Sequence, residues 1–298
     1  MNITAYGKNA QTAVKAVEDE ISRFDSLFSV GKPQSEIYRL NSDKTINPSE
    51  DTKYLLSRAV ELSELTDGAF DITVAPLMTV WGFYSGLENK VPTQAEIDSA
   101  LKKTDYKKVK IDENEITLDK NTSIDLGGIA KGYTSLKSAQ IIKDSGVNSA
   151  ILSLGGNVRA IGYKPDGSNW TVAIADPDNT ALQIGQLSVA DKAVITSGGY
   201  QRFFENNGQI YHHIIDTKNG YPSDSGLKSV TIISEDDTLA DALSTALFVK
   251  GLDKSIDFYK NCNESFEAVF VTDERKIYIT PNLEGVFSSD RAFEVINI

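Results

Sequence analysis

Cysteine is nearly missing from this 298-residue chain. Cys262 stands alone, so no intrachain disulfide and no multi-cysteine zinc site can form. It lies in the polar stretch KNCNES and reads as an unpaired surface thiol. Histidine is almost as scarce: His212 and His213 are adjacent, and there are no others. No run approaches the ~20 apolar residues of a membrane span. The N-terminus, MNITAYGKN, has neither the basic nor the apolar region of a signal peptide, so the chain is either cytoplasmic or parted from a leader. Cations are in deficit, with 30 Lys and Arg against 42 Asp and Glu and a formal charge of −12. That argues against a surface for nucleic acid or anionic lipid, both of which need clustered cations. An anionic ligand would need a metal or helix N-termini to offset the repulsion.

What is present is ordinary globular usage, 40% apolar and 24% charged, which excludes collagen-like, disordered and disulfide-scaffold classes. At ~150 residues per domain the length suits two domains or one large one. Apolar residues from Ala10 to Phe28 recur at three and four, which predicts an amphipathic helix. A second helix is expected from about Glu50 to Thr66. The aromatic-rich segment 69–90 lacks a clean period and reads as a binding loop. Strands joined by short turns are expected at 2–6, 108–111, 115–119, 149–154, 158–163, 170–175, 184–189, 193–197, 201–206, 209–215 and 227–233. Helices over about 238–250 and 252–260 follow, and strands near 267–271 and 276–280 close the chain. Helices and strands in blocks, with hairpin-type turns, predict an α+β fold with antiparallel sheet and packed helices. One compact body over 1–298, single or two-lobed, is expected.

Several segments could carry chemistry. In IDLGGIAKGY (124–133) an apolar strand end delivers Asp125, followed by two glycines, a helix start and Lys131, which suits a phosphate or diphosphate. The competing reading is a turn that merely needs glycine, and the spacing is not that of a Rossmann fingerprint. LGGN and TSGGY add two more glycine pairs that could converge on one ligand. In DDTLADALSTALFVKG, Thr238 and Asp241 fit a capping box. Asp241 and Thr245 also share one face of an apolar helix, an oxygen set that Mg²⁺ accepts. Both readings stand at this point. In YHHIIDTKNGYP the two histidines point to opposite faces of a strand, which removes a paired zinc site. Period two puts Gln209, Tyr211, His213 and Ile215 on one side, and Ile210, His212 and Ile214 on an apolar side. Phe70, Trp81 and Phe83 beside Asp71 could wall an aromatic heterocycle or form core.

GAFDITVAPLMTVWGF, IDLGGIAKGY, LGGNVRAIG, ITSGGYQRFF, YHHIIDTKNGYP and DTLADALSTALF occur in the order and spacing of the ApbE-type flavin transferases, which the chain resembles from SRFDSLFSVGKPQSEIYRLN to about residue 260. The resemblance implies an α+β fold of the T-fold kind and the reaction FAD + protein-Thr → protein-FMN + AMP, dependent on Mg²⁺. It implicates Ala69, Phe70, Asp71, Asp125, Lys131, His213 and Ile215 in binding FAD. It implies Asp241, Thr245 and the Gly128 carbonyl as magnesium ligands. His213 is a candidate base, and the metal-adjacent carboxylate Asp241 is another. The acceptor implied is a threonine of a membrane redox complex subunit, of the Na-translocating NADH:quinone reductase kind or a related one. An exported, membrane-anchored lipoprotein is implied, with the leader absent from this chain. Two rival readings are a non-catalytic FAD carrier and a Mg²⁺-dependent FAD pyrophosphatase giving FMN and AMP.

Two departures from the family pattern stand out. A Met-x-Thr motif expected just before NITAY is absent. Where many members carry an aromatic residue before the KPxSE-like stretch, this chain has Gly31, which cannot stack on a flavin.

Overall fold

The computed structural model describes residues 1–84 and 86–297. Ser85, within the 69–90 segment, and Ile298 lie outside the described residues. Contacts divide the chain into two compact units. The first holds Met1–Ser22, Lys131–Tyr200 and Ser225–Ile298; the second holds Arg23–Ala130 and Gln201–Asp224.

The first unit is built on an eight-stranded sheet. Its spatial order is Asn2–Tyr6, Ser149–Leu154, Asn157–Gly162, Ala193–Gly198, Leu227–Ser234, Glu267–Thr272, Ile277–Ile279 and Phe293–Val295. Neighbours are antiparallel except the last pair, which is parallel. Strand Ser149–Leu154 alternates half-buried and buried positions, the pattern of a strand with two unequal faces. Leu227–Ser234 is buried at nearly every position, as expected for a central strand covered on both sides. One face carries a three-stranded sheet, Phe287–Ser288, Asn179–Val189 and Trp170–Asp176, whose Val172, Ile174 and Leu187 pack with Ile233, Val269 and Ile277. Helices cover the other face. Ala13 and Val17 of Ala10–Phe28 and Ala139 and Ile142 of Ala130–Asp144 pack on Ala150 and Ile161. Helix Asp237–Lys250 lies against the strands Leu227–Ser234 and Ala193–Gly198.

The second unit has smaller sheets: Thr45–Ile46, Ile116–Leu118 and Val109–Ile111 in one, and the hairpin Phe203–Asn206 with Gln209–His212 in the other. Helices Glu36–Asp43 and Glu50–Leu65 start at the serine caps Ser35 and Ser49. Helix Gln94–Leu101 starts at a capping box formed by Thr93 and Glu96. The core gathers Leu77, Trp81, Phe83, Ile97 and Ile215.

Four expectations need correction. Segment 69–90 is regular in its first half: a 3-10 turn over Ile72–Val74, then helix Ala75–Val80 with Pro76 in its first turn. Trp81 and Phe83 are core, and the Trp81 indole N–H donates to the Gly220 carbonyl at 2.8 Å. Asp125 arrives on irregular backbone rather than on a strand. Side-chain bonds hold that backbone, because Asn41 donates to the Ile124 carbonyl at 2.8 Å and accepts from its N–H at 2.7 Å. The strand expected at 209–215 stops at His212. Two short strands, Phe287–Ser288 and Phe293–Val295, follow the pair expected to close the chain. Their length of two or three residues is below what period-two patterning can register.

Candidate functional site

In the first unit three elements converge on two carboxylates. Gly132 and Ser135 lie three apart on helix Ala130–Asp144. Asn157 and Arg159 lie two apart on one strand, and Asp237 and Asp241 four apart on helix Asp237–Lys250. Each spacing puts both members on one face of its element. The Asp241 carboxylate, 3% exposed, accepts the Gly132 backbone N–H at 2.8 Å and the Asn157 amide at 3.1 Å. Lys131 Nζ stands 3.7 Å from its Oδ1. One turn on, the Thr245 hydroxyl is half-buried and 3.3 Å from Ser197 Oγ. Beneath lies a second set. Asp237 is fully buried, accepts Ser135 Oγ at 2.5 Å and pairs with Arg159 at 2.5 Å. Burial pushes the Asp237 carboxyl up to about 6 although Arg159 opposes the shift. Gly132 is required here: a Cβ would fall on the Asp237 carbonyl oxygen and 2.7 Å from Asp241 Cβ.

The capping-box reading of Asp241 fails. Asp236 is the N-cap, and its carboxylate accepts Thr238 N–H at 2.9 Å and Leu239 N–H at 3.1 Å. The frame read from sequence was displaced because three acids crowd the helix start. Asp241 is thereby released from capping. The LGGN glycines are also explained without a ligand. Gly155 and Gly156 have φ of 57° and 101° and turn the hairpin between adjacent strands, the conformation that favours glycine pairs.

In the second unit three of the recognised segments meet. Asp125 N–H donates to the Ile72 carbonyl at 2.7 Å, and Thr217 Oγ1 donates to the Gly68 carbonyl at 2.7 Å. Ala69 and Phe70 are buried between these ties. Asp71 is committed to local structure: it accepts Thr73 N–H at 2.7 Å, Thr73 Oγ1 at 2.6 Å and Tyr106 N–H at 3.0 Å. Burial raises its pKa, which these bonds counteract. The Asp125 carboxylate accepts Gly127 N–H at 2.5 Å and the Tyr84 hydroxyl at 2.7 Å. Burial, then the Asp125 charge, raises the Tyr84 pKa, so this hydroxyl stays a donor. Gly128 is half-buried in the turn that follows.

The two histidines differ in what their rings do. A carbonyl can only accept, so each ring nitrogen facing one carries the hydrogen. His212 Nε2 donates to the Ser223 carbonyl at 3.0 Å, and its Nδ1 accepts Ile214 N–H at 3.3 Å. Both its nitrogens are engaged in structure. His213 Nδ1 donates to the Arg202 carbonyl at 3.1 Å, which makes Nε2 its basic nitrogen. The His213 ring stands edge-on to Phe83 at 6.5 Å, while Tyr211 and Ile215 join the same aromatic core. The opposite side is only partly core, since Ile214 is buried but Ile210 is 59% exposed.

Sequence reasoning missed Asn157, Arg159, Ser135, Asp237 and Tyr84. Arg159 and Asn157 stood inside a recognised segment, LGGNVRAIG. A cation amid strand residues that are otherwise apolar was the available signal.

Among the described residues no three His, Cys, Asp or Glu side chains cluster as a metal site, and no helix is long and apolar enough to cross a membrane. Solved structures similar to this one include flavin transferases. The ApbE protein of Thermotoga maritima is 35% identical, with a TM-score of 0.87 over 95% of this chain and 94% of that one. The flavinyl transferase ApbE of Pseudomonas stutzeri is 29% identical, with a TM-score of 0.85 over 96% of this chain and 91% of that one. The FAD:protein FMN transferase of Klebsiella pneumoniae is 33% identical, covering 93% of this chain and 88% of the relative. The chain belongs to the ApbE family, whose model matches residues 1–270, and is a transferase.

Proposed function

We propose that this protein transfers the FMN half of FAD to a threonine hydroxyl of an acceptor protein and releases AMP, with Mg²⁺ as cofactor. The observation that carries the reading is the Asp241 carboxylate: buried, excused from capping, and aimed by Gly132 N–H and the Asn157 amide. The donor set suits a hard cation, being one carboxylate and the Thr245 hydroxyl on one helix face without sulfur or imidazole. Asp241 and Thr245 would hold the ion, which when bound neutralises charge on the diphosphate.

The chain's own residues supply the rest. Lys131 adds a cation for phosphate oxygens, offsetting repulsion from a protein of charge −12. Tyr84 and Gly127 N–H fix Asp125 for the nucleotide. The family resemblance supports Ala69, Phe70 and Ile215, all buried in this unit, as its apolar neighbours. His213 Nε2 takes the proton of the acceptor hydroxyl as the threonine oxygen bonds to the phosphorus of the FMN half. The phosphoanhydride bond breaks, and AMP leaves with the electron pair. The family resemblance supports a subunit of a membrane redox complex as acceptor and an exported, membrane-anchored form of this protein.

Incubation with FAD and Mg²⁺, with and without a threonine-bearing acceptor domain, tests the reading. Transfer leaves a flavin-fluorescent acceptor band. Free FMN released with or without acceptor would make the protein a pyrophosphatase, and unchanged FAD a carrier.

A further inference from the structure

We propose that the buried set Ser135–Asp237–Arg159 is a positioning device for the Asp241 carboxylate, and through it for the metal; this rests on the reading of Asp241 as a metal ligand. The two sets form a ladder. Gly132–Asp241–Asn157 is one rung and Ser135–Asp237–Arg159 the next, and both are drawn from the same helix, helix and strand. Anything that shifts Asp237 against Ser135 or Arg159 therefore shifts Gly132 and Asn157 against Asp241. The close approach at Gly132, where a Cβ would meet both the Asp237 carbonyl and Asp241 Cβ, ties the rungs tightly.

Energetics argue that the lower rung is not there for stability. Asp237 is fully buried and Arg159 is 5% exposed. Arg159 also donates to the Glu235 carbonyl at 2.7 Å, yet its buried Nε has no hydrogen-bond partner among the described residues. A buried pair with an unmet donor stabilises no better than well-packed apolar side chains of the same volume. What the pair supplies and apolar packing does not is direction. It fixes the rotation and height of one helix against the other through bonds of defined geometry. Residues that orient a metal ligand typically matter ~10–100-fold in metal affinity.

The test uses the full chain, with Mn²⁺ alone as the probe, its binding followed by its paramagnetic resonance signal and folding by thermal melting. The double variant Arg159→Met/Asp237→Leu replaces the pair by apolar volume, and Ser135→Ala removes a single bond. A double variant that melts at or above the parent temperature but binds Mn²⁺ ~10–100-fold more weakly supports the proposal. Parental Mn²⁺ affinity in the double variant overturns it. Should the double variant not fold, Ser135→Ala decides by the same rule: weaker Mn²⁺ at near-parental melting supports positioning, and unchanged affinity overturns it. Asp241→Ala is the control for the underlying reading. If that variant binds Mn²⁺ as the parent does, the metal reading falls and takes this inference with it. If it loses Mn²⁺ while the double variant keeps it, only the positioning role falls.

Discussion

The two units hold their candidate carboxylates by different means. In the first, Asp241 sits on a long helix, and its partners Gly132 and Asn157 belong to a helix and a strand of the eight-stranded frame. In the second, Asp71 and Asp125 stand on backbone with little regular structure, pinned by local bonds from Thr73, Tyr106, Gly127 and Tyr84. Regular elements hold a ligand set rigidly, as a metal with strict geometry demands. Short loops fixed by side-chain bonds can follow the shape of a larger organic substrate. The contrast matches the proposed division, a metal at Asp241 and the nucleotide at Asp125, and it can be broken experimentally.

The largest effect is expected at the start of helix Asp237–Lys250, where two acids five residues apart separate function from folding. Asp241→Ala should abolish AMP release and, by stranding a buried N–H and an amide, cost about 1–3 kcal/mol of stability. Asp236→Ala removes the cap, costs about 1 kcal/mol and should leave AMP release per folded molecule unchanged. AMP assays beside melting curves check both. Retained activity in Asp241→Ala would break the contrast outright.

Next in size is the histidine pair of the second unit. His213→Ala should lower transfer by about 10²–10⁴-fold, the usual worth of a positioned base, with little change in melting. His212→Ala strands the Ser223 carbonyl and the Ile214 N–H and should instead cost about 1–3 kcal/mol of stability. The reverse pattern in paired assays would show that the ring assignments are exchanged.

A smaller, pH-dependent effect belongs to Asp237. Its folded pKa of about 6 lies above the ordinary 3.8 because burial disfavours the charge. The folded chain therefore holds this proton more tightly than the unfolded one. The stabilisation is fully present below about pH 3.8 and is lost as pH rises through about 6. Subtracting the melting profile of Arg159→Met/Asp237→Leu from that of the parent should reveal a component that falls across this window. A component that rises instead would mean that Arg159 outweighs burial.

These contrasts also explain what could be read beforehand. The frame of the first unit was legible because most of its strands and helices run for five residues or more and many keep a clear period, as the strand Ser149–Leu154 does. Asp241 was visible as an acid on an apolar helix, but Asp237 beneath it was not, since an acid in a first helical turn ordinarily faces solvent and the helix dipole. Arg159 was hidden for a related reason: sequence shows a cation in a strand but not which carboxylate meets it. In the second unit the sequence left Trp81 and Phe83 open between pocket wall and core, because their segment lacks a period. Their burial against Leu77, Ile97 and Ile215, with the Trp81 bond to Gly220 139 residues away, shows them to be core.

The smallest effect is at Gly31, the position that departs from the family pattern. It is exposed, its N–H lies 3.3 Å from Ser29 Oγ, and a Cβ there would meet nothing within 4 Å. Its φ is not in the left-handed region, so a side chain brings neither clash nor backbone strain. Gly31→Tyr should therefore leave the melting temperature nearly unchanged, and any change in flavin handling can be charged to the ring itself. One aromatic stacking contact is worth about 1 kcal/mol, which corresponds to FAD binding about fivefold tighter. A ring over the flavin also shields it from water, so the ratio of hydrolysis to transfer should fall. Fluorescence titration of FAD and the FMN-to-acceptor partition measure the two. If neither moves while the protein melts normally, the turn at Gly31 lies away from the bound flavin. The hold on FAD proposed for the second unit would then rest on its other segments, those of Phe70, Asp125 and His213.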